Sequence, residues 1–89
     1  MKSILVVEDS KFLRVAIERM LLKSGYKVVT AGDGEEALRV GKSSAPDLIL
    51  LDMMLPKLSG SEVLQALKKD PTTAKVPVVE LSALSRRVR

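Results

Sequence analysis

The sequence contains no cysteine and no histidine. That excludes a disulfide scaffold, a zinc site built on thiolates or imidazoles, and a nucleophilic triad using either residue. Any metal the chain holds is a hard cation ligated by oxygen. Aromatic residues are confined to Phe12 and Tyr26, too few for a surface on which bases stack. No apolar run approaches the ~20 residues that span a bilayer. The apolar residues 4–7 give way at once to Glu8 and Asp9, which is not the pattern of a secretory signal. A cytoplasmic location and no membrane association are expected. Nor is the chain poor in apolar residues. It is 46% hydrophobic and 29% charged over 89 residues, the balance of one small folded domain rather than a disordered segment.

The net charge of +4 is unevenly placed. Three of the 15 basic residues, Arg86, Arg87 and Arg89, fall in the last four positions, and removing three from +4 leaves +1. The basic balance comes largely from this tail, so a nucleic-acid-binding face is not expected.

What is present is an alternation of strand and helix. Residues 3–7 form a short continuous apolar run, typical of a strand buried on both faces. Ser10 caps a helix with the stripe Leu13, Ala16, Ile17, Met20 and Leu21, and Gly25 ends it. Residues 26–31 read as a second strand and Gly32-Asp33-Gly34 as a turn. Glu35 and Glu36 suit the first turn of a second helix running to about Ser43, with Ala37, Leu38 and Gly41 inward. Pro46 breaks the chain, and residues 47–52 are a third strand with apolar residues between two carboxylates. A loop over residues 53–58 follows. Ser59 and Glu62 make a capping box for a third helix with Val63, Leu64, Ala66 and Leu67, stopped by Asp70-Pro71. Residues 76–82 are a fourth strand, and residues 83–89 begin another helix. The order βαβαβαβ implies a parallel sheet with right-handed crossovers. Ligands of such sheets bind at the carboxyl ends of the strands.

Three of those ends carry polar groups: Glu8 and Asp9, Asp52, and Ser82. Carboxylates converging there raise one another's pKa values. A divalent cation relieves this, and with only oxygen available Mg²⁺ is the expected ion. Mg²⁺ bridges carboxylate and phosphate oxygens, and a carboxylate beside it can attack phosphorus to give an aspartyl phosphate. Ser82 would then donate to a phosphoryl oxygen. Each residue alone has a plainer use: Glu8 or Asp9 at a helix start, Asp52 as a strand-end cap. Their conjunction on one sheet edge is what points to phosphoryl chemistry.

Three stretches carry a resemblance. They are Ile4-Leu5-Val6-Val7-Glu8-Asp9-Ser10, then Pro46-Asp47-Leu48-Ile49-Leu50-Leu51-Asp52-Met53-Met54-Leu55-Pro56 with Gly60, then Val76-Pro77-Val78-Val79-Glu80-Leu81-Ser82-Ala83. With Ser82 following Asp52 by 30 positions, the chain resembles the response-regulator receiver domain of two-component phosphorelay signalling. That family implies an α/β, flavodoxin-like doubly wound parallel sheet, here in the order 2-1-3-4. It implies Asp52 as the phosphoacceptor for a histidine kinase or phosphotransfer protein. It further implies Mg²⁺ held by Glu8, Asp9, Asp52 and the backbone carbonyl of Met54, and Ser82 as the switch hydroxyl. Such a chain is a signalling module rather than an enzyme.

Against the family pattern, residues 1–89 read as a single receiver domain truncated at its C-terminus. The fold is then incomplete, lacking the fifth strand, the last helix, the phosphoryl-neutralising lysine and the switch aromatic. The fourth strand becomes an open edge and part of the sheet lies bare, which favours association. A homodimer or exchange of segments is therefore expected. The alternative function is a self-associating interaction module with little phosphotransfer. Glu80 stands where the family usually has an apolar residue. A buried unpaired carboxylate is costly, so Glu80 is expected on a wet edge, or paired with Arg86 or Arg87.

Overall fold

The computed structural model describes residues 1–81. Its elements are β1 (Ser3–Val7), α1 (Lys11–Lys23), β2 (Lys27–Ala31), α2 (Gly34–Ser44), β3 (Leu48–Leu51), α3 (Gly60–Lys69) and β4 (Val78–Glu80). The strands form one parallel sheet, as expected from the alternation, in the order β2-β1-β3-β4 that the resemblance implied. The expected Ser82 hydroxyl and the helix over residues 83–89 lie outside the described residues.

The sheet register sorts its side chains onto two faces. Leu5 pairs with Ile49 and Val7 with Leu51. With Ala31, Ala37, Val63 and Leu67 these residues make the buried core. The core therefore sits on the face covered by α2 and α3. On the opposite face Ile4 and Val6 are buried, but their register partners Leu48 and Leu50 are only half-buried. Val79, paired with Leu50, is 47% exposed.

The first helix departs from expectation here. No residue of α1 is fully buried. Leu13, Ile17 and Leu21 are half-buried, whereas Ala16 and Met20 are exposed. The physical reason is breadth: among the described residues α1 packs chiefly over β1 and β2, with no extensive contact to another helix. Its end is a Schellman motif. The N–H of Gly25 donates to Leu22 O at 3.1 Å and that of Tyr26 to Leu21 O at 3.2 Å. Gly25 takes the left-handed conformation this turn requires, with φ +92°. Because the Tyr26 N–H caps the helix, β2 begins one residue later than expected.

The fourth strand starts later than residue 76, at Val78, and its expected end at Ser82 lies outside the described residues. The Val76 N–H turns back to Thr73 O at 3.1 Å, and the Val76 carbonyl accepts from Lys68 Nζ at 2.9 Å. Pro77 has no N–H to give. Ladder pairing therefore starts at Val78. Glu80, level with Leu51, is exposed, which accords with the wet-edge reading of its carboxylate; the alternative partners Arg86 and Arg87 lie outside the described residues.

Candidate functional site

The site is assembled by strand ends. Backbone bonds continue the sheet one residue past β1 and β3. The Glu8 N–H donates to Ala31 O at 3.1 Å, and the Asp52 N–H donates to Val7 O at 2.9 Å. These bonds fix Glu8 and Asp52 side by side at the carboxyl edge of the sheet. Both are sealed from solvent, at 1% and 0% exposure, while Asp9 is exposed. One carboxylate oxygen from each of Glu8, Asp9 and Asp52 lies within 4.8 Å of the others. The structure thus brings together the three acidic residues expected from the sequence.

Local capping orients them. Ser10 is the N-cap of α1, its Oγ accepting from the Leu13 N–H at 3.3 Å. Its own N–H donates to Glu8 Oε2 at 3.0 Å. Glu8 Oε1 is buried with no hydrogen-bond partner. Burial, countered by the Ser10 N–H and reinforced by the negative charge of Asp52, pushes the Glu8 carboxyl up to about 7. A buried oxygen of this kind calls for a cation. Three carboxylates with no nitrogen or sulfur donor suit a hard ion such as Mg²⁺, so the residues present fit the expected metal.

The β3–α3 loop supplies the remaining wall. The Met54 N–H donates to Asp52 Oδ1 at 3.0 Å, and the Gly60 N–H donates to Met53 O at 2.9 Å. A Cβ on Gly60 would clash with Met53 Cα, so α3 starts against this loop only because residue 60 has no side chain. At the fourth strand the Leu81 N–H donates to Leu51 O at 2.9 Å. This keeps the chain beside β3 up to the last described residue.

Two features were not legible as functional in the sequence. Arg14 Nη1 donates to the Glu8 carbonyl at 2.8 Å. Its signal was a cation one turn into a helix that follows an acidic pair, but its place beside Leu13 made it an ordinary polar flank. Lys57 reaches Asp33 at 3.6 Å and Glu35 at 3.7 Å, tying the loop to the start of α2. There Asp33 is more than a turn residue: it is the N-cap, accepting from the Glu36 N–H at 2.9 Å.

Residues 4–88 match the family described as the response regulator receiver domain. The chain belongs to that family. It is 46% identical over 83 residues to a probable transcriptional regulator of Cyanophora paradoxa, covering 93% of this chain and 34% of that protein. It is 45% identical over 82 residues to the alkaline phosphatase synthesis transcriptional regulatory protein of Bacillus subtilis, covering 92% and 33%. This receiver chain thus spans about a third of the length of these relatives.

Among solved structures, it superposes with a TM-score of 0.90 on the N-terminal domain of a response regulator receiver protein from Methanoculleus marisnigri. That match has 41% identity and covers 93% of this chain and 68% of the other. The receiver domain of a sensor histidine kinase from Pseudomonas aeruginosa, with a magnesium ion coordinated in its active site cleft, gives a TM-score of 0.88. There the identity is 33%, over 94% of this chain and 69% of the other. Receiver domains of this family are signalling modules. No helix among the described residues is long and apolar enough to cross a membrane.

Proposed function

We propose that this receiver, read as one unit over residues 1–89, is a phosphoacceptor of a two-component phosphorelay. Asp52 takes a phosphoryl group from the phosphohistidine of a histidine kinase or phosphotransfer protein. One observation carries the reading: three carboxylates from two adjacent strand ends share one ligand-sized space, and a buried Glu8 oxygen within it has no protein partner. Glu8, Asp9, Asp52 and the main-chain carbonyl of Met54 would hold Mg²⁺. When bound, the ion offsets the negative charge gathered at the site. The magnesium in the Pseudomonas receiver cleft supports the same assignment.

The chain's own residues then have defined tasks. The Met54 N–H holds Asp52 Oδ1 and so orients the carboxylate. An Asp52 oxygen attacks phosphorus, a P–O bond forms, and the P–N bond to the donor imidazole breaks with its electron pair leaving on nitrogen. Ser82, in this reading, donates its hydroxyl to a phosphoryl oxygen. The acyl phosphate carries about −1.5 to −2 charges in place of the single charge of the carboxylate, so negative charge at a buried strand end rises by about one at most and moves outward onto the phosphoryl oxygens.

Intact mass after incubation with Mg²⁺ and acetyl phosphate tests this. A single-phosphoryl shift, absent from Asp52→Asn, is the expected result. No shift in a folded protein would refute phosphoacceptance and favour the second reading, a self-associating module. That reading draws on the apolar side chains left exposed on the α1 side: Phe12 at 81%, Met20 at 59% and Val79 at 47%. A second copy covering them would make sedimentation depend on micromolar concentration; a strictly monomeric profile would exclude it.

A further inference from the structure

The turn that carries Glu8 and Asp9 is held from one side by the sheet. The Glu8 N–H reaches β2 through Ala31 O at 3.1 Å. Its carbonyl accepts from Arg14 Nη1 at 2.8 Å. The same nitrogen lies 3.2 Å from where a Cβ on Gly32 would stand. The guanidinium therefore threads between the β1–α1 turn and the β2–α2 turn, in space that a side chain at residue 32 would crowd. The far turn is itself braced, because the Gly32 N–H donates to Glu36 Oε1 at 2.7 Å. Arg14 thus fastens a main-chain oxygen next to two acidic side chains from a helix that is otherwise only half packed. A guanidinium suits this task, since its donors sit on a rigid plane at the end of a stem that packs along the helix.

We infer that Arg14 is a positioning residue for the β1–α1 turn, fixing the peptide that aims Glu8 and Asp9. Its effect on ion binding rests on the phosphoacceptor reading; its hold on the turn does not. Groups that orient metal ligands without touching the metal commonly change affinity by about 10- to 100-fold. An arginine acting through one carbonyl belongs at the low end of that range.

The test uses Arg14→Met, which keeps an apolar stem and loses the donors, and Arg14→Lys, which keeps a charged donor on a different head. Arg19→Met, on the exposed side of the same helix, is the control. Mg²⁺ alone is titrated by calorimetry, and phosphorylation by acetyl phosphate is followed against Mg²⁺ concentration. Hydrogen exchange of the Ser10 amide, which is bonded to the Glu8 carboxylate, is measured without metal. In Arg14→Met the half-saturating Mg²⁺ concentration is expected to rise about tenfold, with the rate at saturating Mg²⁺ preserved and Ser10 exchange accelerated. Arg14→Lys recovers part of both shifts, and Arg19→Met changes neither.

A Mg²⁺ midpoint within twofold of the parent, in folded Arg14→Met, overturns the inference. If Arg14→Met fails to fold, the same criteria apply to Arg14→Lys. Should the parent protein bind no Mg²⁺, the phosphoacceptor reading falls, and Ser10 exchange alone decides. Faster exchange then upholds the positioning role, and unchanged exchange overturns it.

Discussion

Glu8 and Asp52 end neighbouring parallel strands, both closed to solvent, with carboxylate oxygens within 4.8 Å of each other. Neither strand can slip to separate them, because a one-residue shift would turn Leu5, Val7, Ile49 and Leu51 out of the core. The hydrophobic pattern thus forces two acids into one dry corner. Without a cation, burial and the Asp52 charge raise the Glu8 carboxyl to about 7 from its ordinary 4.5. The folded protein then binds more protons than the unfolded chain between these values, so its stability falls as pH rises through that window. The contribution of protonated Glu8 is complete below about 4.5 and lost above about 7. Urea unfolding of metal-free protein between pH 4 and 8 is expected to show this decline. Glu8→Gln should flatten it and be the more stable protein at pH 8. A parent curve without a decline in that window would contradict the burial argument.

Metal binding reverses the relation. In the proposed Mg²⁺ site a proton on Glu8 would compete with the ion, so affinity should climb from pH 5.5 and level off above about 7. Calorimetry in buffers of different ionisation enthalpy should detect proton release at pH 6 and little at pH 8.5. Asp9→Asn removes the exposed carboxylate of the three and should weaken Mg²⁺ by at least about tenfold while leaving thermal stability nearly unchanged. Equal Mg²⁺ affinity in Asp9→Asn would remove Asp9 from the ligand set.

These acids were legible in the sequence because they break apolar runs at strand ends, and a parallel sheet brings such ends to one edge. The capping box at Ser59 and Glu62 was legible for a similar reason: both of its bonds are local, at 3.2 and 3.0 Å. The pairings that escaped are set by tertiary approach. Arg14 meets Glu8 across a turn, Lys68 reaches the carbonyl of Val76 at 2.9 Å where β4 was expected to begin, and Lys57 crosses to the start of α2. Hydropathy periodicity says where apolar side chains go; it does not say which carbonyl a long cation will find. The outward stripe on α1 escaped for the complementary reason. Periodicity marks a face as apolar, but whether it is buried depends on what lies beside it.

Gly60 should be among the least tolerant positions of the loop. An added methyl would clash with Met53 Cα and stand 2.8 Å from Met53 Sδ. The backbone contact cannot be relieved by a rotamer change. Gly60→Ala is expected to cost about 3 kcal/mol and, by displacing the Met53–Met54 segment, to weaken Mg²⁺ binding as well. Gly25→Ala is the contrast. It has open space around it but keeps φ at +92°, so it should cost about 1–2 kcal/mol of backbone strain with Mg²⁺ affinity unchanged. Denaturant melts with parallel calorimetry separate the two; a Gly60→Ala protein as stable as Gly25→Ala would disprove the close approach.

Lys57 combines a cost with a gain. Its backbone is left-handed at φ 65°, which an L-residue adopts at about 1 kcal/mol or more. Its side chain reaches Asp33 and Glu35 at 3.6 and 3.7 Å, and solvent-exposed pairs of this kind contribute little. Strain therefore outweighs attraction. Lys57→Gly should stabilise the protein by about 0.5 kcal/mol, since relief of the turn exceeds loss of the pairs. Lys57→Ala keeps the strain and loses the pairs, and should destabilise by a similar amount. The Lys57→Ala deficit should shrink in 1 M salt, where exposed pairs are screened, while the Lys57→Gly gain persists and grows slightly. Urea melts of the three proteins at low and high salt provide the check. Stability in the order Lys, then Gly, then Ala at low salt would show that the ion pairs, not the backbone, decide what this position prefers.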